Sequence, residues 1–95
     1  MRQYELVYII NPEFDEEKRQ ALVEKVNDLV VRNGGELVKV DQWGKRKLAY
    51  PIMKFNEGVY VLVEYQAPAE AIAEVDRVLR ITDGVIKHLI TRQGE

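Results

Sequence analysis

The apolar residues follow two kinds of pattern, and the first predicts four strands. Apolar runs rich in β-branched and aromatic residues extend over Tyr4 to Ile10, Leu37 to Tyr50, Val59 to Tyr65 and Val85 to Thr91. Gly44 interrupts the second run and predicts a bend or bulge there. Pro51 favours an edge position, because proline cannot donate a backbone hydrogen bond to a neighbouring strand. We expect the second and third runs to pair as a hairpin with the loop Lys54 to Gly58.

The second pattern, with apolar residues three and four positions apart, predicts two helices. The first is expected to begin at the N-cap Asp15 and to end at Asn33-Gly34-Gly35, where glycine can adopt a left-handed conformation. The second follows Pro68, which suits a first helical turn, and precedes the turn Thr82-Asp83-Gly84. The side chains expected to be buried are Leu22, Val26, Leu29 and Val30 on the first helix and Ile72, Val75, Val78 and Leu79 on the second.

The resulting order of elements is βαββαβ, which is the order of the ferredoxin-like α+β fold. In that fold the first and third strands are central in a four-stranded antiparallel sheet, and both helices cover one face. A length of 95 residues suits one domain, which we expect to span residues 1–95. If Val7, Ile9, Tyr60 and Leu62 lie on the face without helices, their apolar patch either binds a partner or reflects the usual apolar character of central strands.

Composition and charge restrict the classes of function. No apolar run is long enough to cross a bilayer, and cysteine is absent, so we expect a cytoplasmic protein without a membrane segment. The formal net charge of -2 argues weakly against nucleic acid binding. The charge is segregated, however, because acidic residues gather in both predicted helices, whereas the stretch from Trp43 to Met53 contains cations and no acid.

Residues that could support catalysis are few. Serine and cysteine are absent, and only Thr82 and Thr91 supply an aliphatic hydroxyl, so no nucleophilic triad can be assembled. His88 is the sole histidine, which excludes a multi-histidine metal site within one chain, and we interpret it as a strand residue with its polar tip at the surface. The glycines Gly34 and Gly35 precede a strand, contrary to a phosphate-binding loop. We therefore predict no enzymatic activity, no cofactor and no metal.

The segment from Trp43 to Ile52 combines cations with aromatic side chains. Lys45, Arg46 and Lys47 stand between Trp43 and Tyr50, and such groups bind RNA backbones and bases. A solvent-exposed hairpin tip explains the same composition equally well, because basic residues also protect strand edges from aggregation. Cations that could extend a basic surface are Arg2, Lys54, Lys87 and Arg92.

An RNA-recognition motif has the same order of elements, but its register does not fit this chain. That module places base-stacking aromatic residues on its third strand. Counting from Gly58, the corresponding positions hold Val59 and Val61, and Tyr60 falls on the alternate face. Base stacking across the sheet is therefore a minor hypothesis.

The segment Trp43 to Ile52 as a whole closely resembles the signature of ribosomal protein six of the bacterial small subunit. The opening Met1 to Glu5, the turns Asn11-Pro12 and Asp83-Gly84 and the spacing of all six elements are similar too, so the resemblance covers essentially the whole chain. It implies a ferredoxin-like fold and a structural, non-enzymatic role on the cytoplasmic ribosome. It also implies binding to the central domain of small-subunit ribosomal RNA together with ribosomal protein eighteen, and a monomer when free.

The resemblance also indicates contact residues. Arg46, Lys47 and Tyr50 stand at matched motif positions, and Arg2 matches at the N-terminus. Charge and expected position add the other candidates for RNA contact, which are Lys45, Lys54, Lys87 and Arg92. The candidates for contact with the partner protein are Val7, Ile9, Trp43, Tyr60 and Leu62. A different class of function, a ferredoxin-like regulatory domain that binds a small molecule, is the alternative and would require a pocket and homodimerisation.

Overall fold

Four strands and two helices alternate along the chain in the predicted βαββαβ order. A computed structural model describes residues 1–93, with the elements β1 (Arg2–Ile10), α1 (Glu16–Arg32), β2 (Glu36–Ile52), β3 (Phe55–Ala67), α2 (Ala71–Ile81) and β4 (Val85–Arg92). The strands form an antiparallel sheet in the order β2-β3-β1-β4, so β3 and β1 are central. The ferredoxin-like prediction is therefore confirmed. Neither helix in residues 1–93 is long and apolar enough to span a membrane.

Alternate side chains of the central strands form the core with both helices. The buried strand residues are Tyr4, Leu6, Tyr8 and Ile10 on β1 and Val59, Val61, Val63 and Tyr65 on β3. The helices contribute Leu22, Val23, Val26, Leu29 and Val30 from α1 and Ala71, Val75 and Leu79 from α2. Ile72 and Val78 are only partly buried and pack against this core. Each large apolar side chain stabilises the fold by roughly 1.5–3 kcal/mol when fully buried, so this face holds the helices on the sheet.

The helix starts differ in how well the sequence predicts them. Asp15 caps α1 as predicted, since its carboxylate accepts a hydrogen bond of 2.8 Å from the backbone N–H of Lys18. Pro68 does not lie in the first turn of α2, contrary to the prediction. It lies in the turn before the helix, where its carbonyl accepts a hydrogen bond of 3.0 Å from the N–H of Ala71.

The β2–β3 hairpin is longer than the sequence predicts. Ile52 pairs with Phe55, so the turn consists of Met53 and Lys54, and the predicted loop from Lys54 to Gly58 is wrong. Met53 adopts a left-handed backbone with φ 58°. That conformation is usually supplied by glycine or asparagine in a two-residue turn, and the sequence therefore lacks the ordinary signal for this one.

One of three register shifts in β2 lies where the sequence predicts a bulge. The register with β3 shifts between Gln42 and Gly44, and Gly44 has φ 86°. Pro51 lies on an edge strand, as expected, because β2 pairs with β3 alone in the sheet of residues 1–93. The bulge increases twist and changes which side chains face either side of the hairpin.

Gly58 permits close contact between the hairpin and β1. A Cβ atom at this position would lie 2.2 Å from Cγ2 of Ile9, well inside van der Waals contact. Ile9 is buried but lies outside the main core cluster, on the opposite face of β1. The missing side chain at Gly58 therefore lets Ile9 pack against the base of the hairpin.

We expect Gly58→Ala to lower the free energy of unfolding by about 1–3 kcal/mol, because Ile9 or β3 must move to accommodate the methyl group. Urea denaturation measures the change. Ile9→Ala removes the clashing Cγ2, so the double variant should lose less stability than the sum of the single variants. Strictly additive losses would contradict the proposed clash.

Two buried tyrosine hydroxyls, those of Tyr8 and Tyr65, have no hydrogen-bond partner among residues 1–93. Burial raises the pKa of Tyr8 far above its usual range. Burial, with a smaller electrostatic contribution from Tyr4, raises the pKa of Tyr65 to about 12. These hydroxyls lose hydration on folding without a compensating bond to the protein.

Tyr8→Phe should therefore leave stability unchanged or raise it by about 1 kcal/mol, since it removes an unpaired hydroxyl and keeps the ring. Tyr50→Phe is the matched control, because the Tyr50 hydroxyl is paired at the surface, and a change within about 0.5 kcal/mol is expected there. Chemical denaturation of both variants measures the difference. A loss of more than about 1 kcal/mol for Tyr8→Phe would mean that the hydroxyl is bonded in solution.

Candidate nucleic-acid interface and open sheet face

The strand register decides which side chains lie on the face of the sheet without helices, called here the open face. Val7 pairs with Leu62 and Ile9 with Tyr60 across the two central strands. Their neighbours along each strand belong to the core, so these four side chains lie together on the open face. Their contact with a partner protein stays a prediction.

β4 extends this apolar surface with a residue that the sequence analysis missed. Leu89 pairs with Val7, lies on the open face and is 59% exposed. A shallow depression of about 220 Å³ is lined by Val7, Ile9, Tyr60, Lys87, His88 and Leu89. Because side chains alternate along a strand, Lys87 and Leu89 lie on the same face, and this pattern could have identified Leu89 as an open-face residue. The sequence does not show, however, that Leu89 is exposed.

Charge differs between the two ends of the open face. Glu5 and Glu64 pair directly with each other, and Lys39 pairs with Glu64. At the other end, where β1 finishes, Lys87 pairs with Ile9. The apolar surface therefore lies between an end that contains two adjacent carboxylates and a basic end.

The basic residues of the hairpin are divided between its two sides. Arg46 pairs with Gly58, which places Arg46 on the side of the open face. Lys45 pairs with the core residue Val59, so Lys45 and Lys47 project from the opposite side. All three cations are exposed. They are adjacent in sequence, yet they do not form one flat patch.

Trp43 is held by three contacts inside the protein. Its ring stacks on Tyr60 with centroids 6.1 Å apart and planes 15° from parallel. Its indole N–H donates to Oδ2 of Asp41 at 3.2 Å. The guanidinium carbon of Arg46 lies 5.6 Å from the centre of the indole. The indole is 41% exposed but is packed beside both a ring and a cation.

Tyr50 and Lys87 connect the hairpin to the far edge strand. The ammonium of Lys87 donates to the Tyr50 hydroxyl at 2.6 Å and lies 5.1 Å from the centre of its ring. β2 and β4 are the two outer strands of the sheet, so this contact requires the hairpin to bend across the open face. The bend brings Lys87 to the same end as the hairpin cations and Lys54 of the turn.

Arg2 and Arg92 lie at the other end of the sheet. Arg2 pairs with Ala67, and Arg92 pairs with Tyr4. The side chains of Ala67 and Tyr4 belong to the core face. Arg2 lies eight positions before Ile10 on β1, which is roughly 27 Å at about 3.4 Å per residue. The structure therefore brings together the other six candidates for RNA contact at the hairpin end and leaves Arg2 and Arg92 apart from them.

His88 does not present its polar tip to solvent, contrary to the prediction. It pairs with Tyr8, so its side chain faces α2, where it is 14% exposed and Nε2 is hydrogen-bonded to Oδ1 of Asp76 at 2.7 Å. This bond holds the pKa of Asp76 below its usual range, with the charge of Arg80 acting in the same direction. The alternation of His88 with Ile90, which packs against the core, was the available signal.

Side chains suited to catalysis or metal binding do not converge in the part of the chain that the structure describes. Residues 1–93 contain no group of three or more histidine or carboxylate side chains placed to hold a metal. A second depression, of about 400 Å³, lies between the hairpin tip and the α2–β4 turn, and Met53, Phe55, Arg80 and Asp83 are among its lining residues. Its single cation and single carboxylate do not form a catalytic arrangement.

Comparison with known proteins connects this geometry to a family. The family model described as "Ribosomal protein S6" matches residues 3–92. Small ribosomal subunit protein bS6 of Desulforamulus reducens is 52% identical over 95 residues, with 100% of both chains covered. Small ribosomal subunit protein bS6 of Clostridioides difficile is 53% identical over 90 residues, which cover 95% of this chain and 97% of that protein.

A solved structure agrees in fold and sequence. The crystal structure of 30S ribosomal protein S6 from Thermotoga maritima superposes with a TM-score of 0.93 and 35% identity. The superposition covers 97% of this chain and 87% of that one. On the family match, the sequence identities and the common fold, the chain belongs to the ribosomal protein S6 family of the small ribosomal subunit.

Proposed function

We propose that this chain is a structural component of the small ribosomal subunit that binds the central domain of the subunit's RNA together with ribosomal protein eighteen. The proposal rests mainly on one observation, which is the position of the hairpin cations beside the apolar open face of the sheet. One end of the molecule thereby offers phosphate-binding groups next to a surface suited to a protein. In this function residues 1–95 act as one non-catalytic binding domain on the cytoplasmic ribosome, and the free chain is a monomer.

The RNA contact is assigned to the hairpin end of the sheet. The proposed contact residues there are Lys45, Arg46, Lys47, Tyr50, Lys54 and Lys87. Cations on both sides of a narrow hairpin can contact phosphates on two sides of a groove or junction, which fixes the orientation of the protein without reading sequence. Arg2 and Arg92 are proposed as a separate contact about 27 Å away.

The protein contact is assigned to the apolar part of the open face. Val7, Ile9, Tyr60 and Leu62 form its centre, and Leu89 adds an exposed aliphatic side chain at one side. Trp43 borders the surface through its stack on Tyr60. A partner that covers this surface would remove apolar area from water, chiefly at Val7, Tyr60, Leu62 and Leu89 because Ile9 is already buried, and such burial is the main favourable contribution to protein association.

The net charge of -2 supports joint binding of RNA with a second protein. Affinity for RNA depends strongly on the number of phosphates that cations neutralise. A chain with this charge gains little from long-range attraction, so a more basic partner held on the open face would supply the missing charge.

RNA affinity should fall by roughly 100-fold in the double variant Arg46→Ala plus Lys47→Ala, at about tenfold for each lost phosphate contact. The measurement is filter binding of a small-subunit ribosomal RNA transcript in the presence of protein eighteen at fixed salt. Lys25→Ala plus Arg32→Ala is the matched control, since it removes the same charge from α1, in the helical layer and outside the basic segment of the hairpin, and should change affinity much less.

Two results would contradict this division of roles. The first is equal RNA affinity with and without protein eighteen, and the second is an equal loss of affinity in the hairpin double variant and in the α1 control. A homodimer that a small metabolite stabilises in a thermal-shift screen would instead support the regulatory-domain alternative.

Leu89→Glu should weaken the complex with protein eighteen by roughly 10- to 100-fold, because it replaces a buried contact of about 1.5–3 kcal/mol with a charge. Ile81→Glu is the matched control, since Ile81 is 71% exposed at the end of α2, outside the open-face depression. Isothermal titration of the two proteins without RNA measures both affinities. Equal affinities for the two variants would exclude the open face as the contact.

A further inference from the structure

Three arginines on the helices pair with carboxylates. Arg32 contacts Asp28 at 3.0 Å on α1, and Arg77 contacts Glu74 at 2.8 Å on α2. The guanidinium of Arg80 contacts Asp76 as well. An adjacent carboxylate offsets part of their charge and accepts one or two of their five N–H donors, so these arginines attract another anion less strongly than an unpaired cation does.

Two cations on the open-face side of the hairpin end are held differently. Arg46 packs over the ring of Trp43, and Lys87 packs over the ring of Tyr50. No carboxylate of residues 1–93 lies within ion-pair distance of either. An aromatic face attracts a cation through its quadrupole and does not neutralise its charge. The rings therefore order these cations and leave their charge available.

We infer that Arg46 and Lys87 bind RNA backbone phosphates as a preorganised pair, and that Trp43 and Tyr50 are positioning residues that hold these two cations in place. The inference deepens the proposed RNA contact and rests on it. It assigns Arg46 a role different from that of its neighbours Lys45 and Lys47, which project from the other side of the hairpin. It also gives Trp43 a role other than stacking on a nucleobase.

Trp43 is suited to positioning because its own orientation is restrained twice. The stack on Tyr60 fixes the plane of the indole, and the hydrogen bond to Asp41 fixes its rotation within that plane. Asp41 is thereby engaged with the indole N–H. A long arginine side chain loses rotamer freedom when it binds a phosphate, and a ring that already restricts the side chain reduces this loss.

Tyr50 restrains Lys87 through its hydroxyl as well as its ring. Because the hydroxyl accepts from the ammonium, two of the three ammonium N–H groups remain to donate to phosphate. Tyr50→Phe keeps the ring and removes the hydroxyl, whereas Tyr50→Leu removes both. The pair of variants separates the two contributions.

The experiment is a double-mutant cycle between Trp43 and Arg46, measured as affinity for a small-subunit ribosomal RNA transcript at several salt concentrations. Protein eighteen is saturating for every variant, so that changes in its own affinity do not enter. Arg46→Ala should weaken binding about tenfold and reduce the slope of log affinity against log salt by about 1. Trp43→Leu should weaken binding about threefold and keep the slope, because the charge remains. In the Arg46→Ala background, Trp43→Leu should have no further effect.

Controls separate positioning from a general loss of structure. Trp43→Phe keeps an aromatic face and should restore most of the affinity, and thermal unfolding of each variant shows whether the fold is intact. Lys18→Ala removes a cation that also lies over a ring, that of Phe14, but on α1 among acidic residues. It should leave RNA affinity unchanged, which tests whether the hairpin location is required.

Trp43 is the sole tryptophan, so its fluorescence reports directly on the contact. Arg46→Ala should shift the emission of the free protein, and Lys47→Ala should not.

The inference is overturned if Trp43→Leu and Arg46→Ala are additive, or if Lys45→Ala and Lys47→Ala weaken binding whereas Arg46→Ala and Lys87→Ala do not. In that second case the hairpin still binds RNA. If no hairpin cation matters, the proposed RNA contact itself fails.

Discussion

The antiparallel register between β1 and β3 determines the two faces of the molecule. With Leu6 opposite Val63 and Tyr8 opposite Val61, one face is continuously apolar and takes both helices. The same register places Val7 opposite Leu62 on the other face. A slip of one residue in either strand would exchange its two faces and expose the core. The apolar surface of the open face is thus a direct consequence of the pairing that builds the core.

The long hairpin extends this arrangement beyond the end of β1. Its base needs Gly58, where Ile9 occupies the space that a side chain would take. Above the base, the Tyr50–Lys87 contact brings the edge strand β2 over to β4. Packing at a single glycine thus influences where the cations of the hairpin lie, although none of them touches the core.

Periodicity was sufficient to predict the strands, the helices, the Asp15 cap and the bulge at Gly44, because local residue preferences and burial agree at each of these places. The hairpin turn was missed because Met53 adopts a positive φ without the glycine or asparagine that normally indicates one. The side of the hairpin on which Arg46 projects depends on pairing across the bulge. The separation of Arg2 and Arg92 from the hairpin follows from antiparallel pairing, which places Arg2 beside Ala67 and Arg92 beside Tyr4, at the end of the sheet away from the hairpin turn.

Net charge is a poor guide to RNA binding in this molecule because the charges are unevenly distributed along the chain, and residues 43–54 contain four cations and no acid. α1 and α2 each contain as many acids as cations, and Arg32, Arg77 and Arg80 are paired with carboxylates on their own helices. The cations of the hairpin end, by contrast, include two that rest on aromatic rings. Since solvent and salt screen exposed charges beyond about 10 Å, a phosphate at the hairpin experiences mainly the nearby cations. A weakly acidic protein can therefore present a locally cationic surface, and the geometry of that surface depends on Trp43 and Tyr50 as much as on the charges themselves.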